Sequence, residues 1–236
     1  METFLHLTRW LHIAAGFTGF FVAPVALAVR KGGAAHRRWG RVFFYAMLGA
    51  GLTSLLLAGG QLLFAQLPAG RRLALVFLLI TGLFSLYLAG FGYRALYLKK
   101  LGAGQRPARV DWLMAGLGLP VFAFFAYYGV RQGIVPAVVF GTAGVVRTGT
   151  QLRSYLRSAP PRPGGQWLRN HISGFVGAYI AAVSAFSATS LHFIPWPWNF
   201  LWPTILGVPC LLWAQRRHTR PAAAPLEVPI QTTALR

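Results

Sequence analysis

The chain has 236 residues, 56% of them hydrophobic and 11% charged, with 23 Lys and Arg against three acids, Glu2, Asp111 and Glu227. Apolar runs of about twenty residues between short basic patches exclude a soluble core and indicate a multi-spanning membrane protein. The net charge of +20 lies between those runs, so it reads as positive-inside bias facing anionic lipid head groups, not as a nucleic-acid surface. Cys210 is the only cysteine, which excludes an internal disulfide and a thiolate metal cluster.

Helix 1 is expected from Phe4 to Val29 and contains His6, His12 and Pro24. Ala26 and Ala28 weakly resemble a signal-peptidase site, but the basic pair Arg30-Lys31 follows the apolar run instead of preceding it. A short basic loop with His36, Arg37 and Arg38 leads to helix 2, about Trp39 to Gly60, and an uncharged turn leads to helix 3, about Leu73 to Leu98. After a second basic loop come helix 4, about Asp111 to Val130, with Pro120 as a kink site, and helix 5, about Ile134 to Leu152. The longest loop, Arg153 to Arg169, is basic and rich in Pro and Gly.

Helix 6, from His171 to His192, carries a histidine at each end and no formal charge between them. Their separation of 21 residues corresponds to roughly 31 Å of helix, one hydrocarbon thickness, and leaves them on a shared face. Small residues recur four apart in two rows, Gly174–Ala178–Ala182 and Gly177–Ala181–Ala185, a pattern that lets helices approach closely in lipid. Helix 6 therefore reads as the central helix, and its small rows would serve internal packing or a homo-oligomer equally well. Trp196, Trp198 and Trp202 precede helix 7 as an interfacial aromatic belt.

The expected architecture is an all-α polytopic transmembrane bundle of seven helices over residues 1–215. Residues 216–236 form a cytoplasmic, basic, proline-bearing tail without periodicity, expected to be disordered. The loops after helices 1, 3 and 5 together with the tail hold 17 Lys and Arg, against 4 on the opposite side. That asymmetry places the N-terminus outside and the C-terminus in the cytoplasm, in a bacterial inner membrane.

The run from Leu11 to Met47 has His12 with Gly16, a Lys31-Gly32-Gly33 turn, His36 with Arg37, and Gly40-Arg41 entering an aromatic helix. With the run Asn170 to Phe186, it resembles an uncharacterised bacterial family of multi-pass membrane proteins classed as a domain of unknown function. The resemblance spans Leu5 to Trp213, implies a membrane protein, and implies no activity.

Ionisable groups are costly inside a bilayer, so each buried histidine is a functional candidate. His36 and His171 fall at the inner face, His12 and His192 at the outer. Paired imidazoles from different helices are what haem b requires in a membrane electron carrier exchanging electrons with a quinone. The arrangement resembles that of two-haem membrane cytochromes. A rival reading assembles His36, His171 and Asp111 into a site for zinc or another divalent metal, suited to hydrolysis. A third has no cofactor: the histidines bond neighbouring helices in a scaffold or transporter. Asp111 is expected to be ion-paired, with Arg94, Arg109, Arg147 and Arg169 as possible partners and Arg147 favoured among them. Arg147 has the further roles of snorkelling or clamping a carboxylate, phosphate or propionate.

No phosphate-binding loop is present, helix 7 has no lysine for a retinal Schiff base, and Ser184, Ser187 and Ser190 lack the partners of a catalytic triad. Those serines are expected to bond between helices.

Overall fold

A computed structural model of the chain describes residues 2–64, 66–99, 106–156 and 165–219. They form seven helices: α1 Glu2–Ala28, α2 Ala34–Phe64, α3 Ala69–Leu98, α4 Arg109–Gln132, α5 Val135–Leu156, α6 Gln166–Ser190 and α7 Trp198–His218. No strand occurs among the described residues. α1, α2, α3, α4 and α6 are long and apolar enough to cross a membrane, which is the composition of an integral membrane protein. α5 and α7 have comparable length at 22 and 21 residues. They are more polar, because α5 holds Arg147, Gln151 and Arg153, and α7 ends in Gln215, Arg216, Arg217 and His218. The expected disordered tail begins within α7, and its remainder from 220 onward lies outside the described residues.

Two boundaries shift in ways that move functional groups. α2 starts at Ala34 and α6 at Gln166, each about five residues before the apolar run begins. Helices of 25 to 31 residues overshoot an apolar core of about 30 Å, so their ends continue into the head-group layer where basic residues are solvated. His36 thus belongs to the first turn of α2, not to a loop. α6 stops at Ser190, which leaves His192 in the following turn.

Three antiparallel hairpins, α1–α2, α4–α5 and α6–α7, are arranged about α3, which touches α2, α4, α5 and α6. The central helix is α3, in place of the expected α6. α3 is apolar all round from Leu73 to Tyr93, and a helix apolar on every side is one that others surround. The core follows from this, with Ile80, Phe84, Tyr87, Leu88 and Ala89 of α3 meeting Phe122, Phe140, Ala178 and Phe200.

α3 and α6 meet backbone to backbone. A Cβ added to Gly174 would lie 2.4 Å from the Cα of Gly92, and one added to Gly92 would lie 2.9 Å from the Phe175 nitrogen. Ala178 continues the small row, its carbonyl accepting from Ser85 Oγ at 3.4 Å. The small residues of α6 therefore serve packing inside the chain. Of its serines, Ser187 accepts from Trp202 Nε1 of α7 at 2.7 Å, whereas the buried Ser184 hydroxyl has no partner among the described residues.

Candidate functional site

α1, α2, α3 and α6 contact one another in a ring, so α2 and α6 are diagonal partners across its interior. His36, in the first turn of α2, and His171, in the second turn of α6, approach across that interior at one end, with ring centroids 6.3 Å apart and planes at 70°. Both side chains are half-buried.

Each ring is fixed by a backbone carbonyl from a neighbouring helix. His36 Nδ1 lies 2.9 Å from the Ala26 oxygen, in the last turn of α1, where helical carbonyls lack an intrahelical donor. His171 Nδ1 lies 3.1 Å from the Gly92 oxygen of α3, a contact the Gly92–Gly174 approach makes possible. A carbonyl only accepts, so both Nδ1 atoms carry a proton, and each ring in its neutral form has its lone pair at Nε2. An imidazole whose Nδ1–H is held by a carbonyl is oriented and tautomerically set for coordination through Nε2.

The separation has the scale of a shared ligand. An imidazole nitrogen sits about 2.0–2.1 Å from a bound first-row metal, so two rings on opposite sides have nitrogens about 4 Å apart and centroids about 6 Å apart. The walls are aromatic. Phe175 packs 4.8 Å from the His171 ring, Phe43 is 5.7 Å from Phe175, and Tyr179 continues the wall one turn deeper. A flat macrocycle between Phe43 and Phe175 needs about 7–8 Å between ring planes, twice an ordinary carbon contact, so this pair has to part by about 2 Å to admit one.

The outer pair does not assemble. His12 turns toward α2, its Nδ1 3.0 Å from the Ala50 oxygen and 3.1 Å from Thr53 Oγ1. His192 is exposed beyond the end of α6. His12 is thus an interhelical hydrogen-bonding residue, and His192 is exposed to the surroundings. His6 is exposed on α1.

Nor does the three-ligand metal site. Among the described residues no group of three His, Cys, Asp or Glu side chains converges as a metal site. The reason for Asp111 is direct. Arg94 Nε donates to its Oδ1 at 2.8 Å, Arg94 Nη2 to its Oδ2 at 2.8 Å, and the Ala108 N–H to the same Oδ2 at 3.0 Å. Asp111 is fully buried, and both its oxygens are occupied. Its partner is Arg94 of α3, not Arg147.

Arg147 is placed elsewhere. Its guanidinium lies over the Phe91 ring at 3.7 Å, and Nη2 donates to Asn170 Oδ1 at 3.3 Å. Its Nε is buried without a partner among the described residues. Nearby, Tyr87 donates to Gln151, which donates to Tyr155 at 2.7 Å. Gln151 and Tyr155 carried no signal in the sequence. The carbonyls of Ala26 and Gly92 also carried none, since backbone acceptors are invisible to side-chain pattern.

The site end is basic and cross-braced. Lys99 lies 4.8 Å from the Trp167 ring, Arg169 Nε donates to Thr219 Oγ1 at 2.9 Å, and Gln215 donates to the Arg169 carbonyl at 3.2 Å. Arg37, Arg38 and Arg41 are exposed on α2, two of them within its first turn and a half. Comparison of the chain with protein families, with curated proteins and with solved structures found no match.

Proposed function

We propose that this membrane protein holds haem b between His36 and His171 and transfers electrons to or from a lipid-soluble quinone. The observation that carries the reading is the pair itself. Two imidazoles from diagonal helices stand 6.3 Å apart, each with Nδ1–H bound to a carbonyl, so both Nε2 lone pairs are available. The group, when bound, supplies one-electron chemistry. The chain's residues orient both ligands, exclude water through Phe43, Phe175 and Tyr179, and offer Arg37, Arg38 and Lys99 to acidic substituents. One site at one face replaces the two-site arrangement, so electrons exchange with the quinone at that face.

A second reading follows from the 5.7 Å approach of Phe43 and Phe175, which suits a bare ion better than a macrocycle. There the same two imidazoles bind one transition-metal ion, with water or substrate completing the coordination. Among the described residues no third ligand for a hydrolytic zinc site joins them.

The positive-inside count supports an orientation with this end, which gathers the C-termini of α1, α3 and α7, in the cytoplasm of a bacterial inner-membrane protein. It also supports contact with anionic lipids.

An absorption spectrum with elemental analysis on one purified sample separates the readings. Haem gives a Soret band and iron, and a bare ion gives stoichiometric metal without a Soret band. Protein with neither returns the histidines to the helix-bridging role that His12 already has.

A further inference from the structure

α5 packs on α4 and α3, with Arg147 donating to Asn170 of α6 and little other packing on α6 and α7. The space left is a groove of about 790 Å³ floored by Phe84 and Leu88 of α3 and walled by residues such as Val138, Ile180 and Val208. That volume falls within the range of small-molecule sites, about 300–1,000 Å³. Along α5 the groove runs from Val138 to Thr150, about 18 Å of helix, close to one leaflet of a hydrocarbon core about 30 Å thick.

Its lining is mostly apolar, with Thr142 and Thr204 along it and Arg147, Thr150 and Ser173 gathered near one end. Among the described residues Arg147 has no carboxylate partner. Of the three acids in the chain, Asp111 is bound to Arg94, and Glu2 and Glu227 lie near the two termini. The Arg147 Nε–H is buried and unpartnered among the described residues. A buried donor left unmade is expensive, and a guanidinium at membrane depth more so. An anionic group in the groove would compensate the charge, since the guanidinium fork matches phosphate oxygens.

We infer that the groove between α5 and α6–α7 is a binding site for one anionic phospholipid, its phosphate on Arg147 and an acyl chain along the Leu88–Val138–Val208 walls. Charge selects the head group, and the one-leaflet length of the apolar wall selects a chain drawn from the bilayer. The groove is lined by none of the histidines, so the site stands independently of the haem reading.

Titration of the detergent-purified full-length protein with dioleoyl phosphatidylglycerol, dioleoyl phosphatidylcholine or oleate, read by native mass spectrometry, tests this. The first phosphatidylglycerol is expected to bind about tenfold or more tightly than the other two, the scale of a charge-assisted hydrogen bond. Arg147→Gln removes the preference, while Arg41→Gln, exposed on α2, leaves it intact. Ala143→Trp fills the groove with Arg147 in place and weakens phosphatidylglycerol binding, so it decides the matter if Arg147→Gln does not fold. Equal phosphatidylglycerol binding by wild type and either groove variant overturns the inference. So does tighter binding of oleate or of phosphatidylcholine than of phosphatidylglycerol.

Discussion

Arg94 of α3 grips Asp111 of α4 at two points, both 2.8 Å, with the carboxylate wholly buried. A third bond, from the Ala108 N–H, ties the same carboxylate to the first turn of its own helix, where the helix dipole also favours a negative charge. This clamp joins α4 to the central helix alongside the packing of Phe84 and Tyr87 on Phe122.

Asp111→Asn should destabilise the detergent-purified protein by about 3 kcal/mol, because breaking a buried pair strands its partner. Arg94→Gln should cost at least as much, since the stranded group is then the fully buried carboxylate. Arg147→Gln leaves the clamp untouched. Thermal unfolding of the three variants checks the ranking, and an unchanged midpoint for Asp111→Asn would refute the clamp's role.

The His36–His171 pair predicts an asymmetric histidine scan. His36→Ala and His171→Ala should each abolish the absorbance or metal content of the purified protein, while His12→Ala and His192→Ala preserve it. His12→Ala should still lose about 1 kcal/mol of stability, the net value of one hydrogen bond. Equal effects at all four positions would contradict a single site.

Gly92 and Gly174 carry both packing and site geometry. Gly174→Ala puts a Cβ 2.4 Å from the Gly92 Cα, so α3 and α6 must separate. The expected cost is about 1–3 kcal/mol, typical of overpacking. The separation also lengthens the His171–Gly92 hydrogen bond, so ligand content should fall along with stability. A variant with lowered stability but full ligand content would uncouple the two roles.

Ser184 and Ser187 lie on one helix three residues apart and should respond oppositely. Ser187→Ala removes the acceptor of Trp202 Nε1 and strands a donor, lowering stability by about 1–2 kcal/mol. Ser184→Ala removes a buried hydroxyl that has no partner among the described residues and should be neutral or stabilising. Melting curves of the two single variants provide the comparison.

The seven helices and the membrane character were legible in the sequence, and so was the choice of His36 and His171 as candidates, because each rests on a local signal. Apolar runs of spanning length mark helices, basic patches mark their ends, and a histidine beside an apolar run is conspicuous against so few charges. Helix starts were misplaced where the helices of α2 and α6 continue past the apolar run into the head-group layer, since hydropathy records the lipid and not the helix. Which groups meet was a different matter. Asp111 had four arginines within plausible reach, and only the packing of α4 on α3 selects Arg94. His12 and His192 share a membrane face in the sequence, but azimuth separates them: one turns to the Ala50 carbonyl and the other lies past the helix end. The acceptors that orient His36 and His171 are backbone oxygens on α1 and α3, and the groove that Arg147 lines exists only through the spacing of α5 from α6 and α7. Side-chain order along one chain fixes what each helix offers; the relative rotation and spacing of helices, set by contacts such as Gly92 on Gly174, decide what those offers meet.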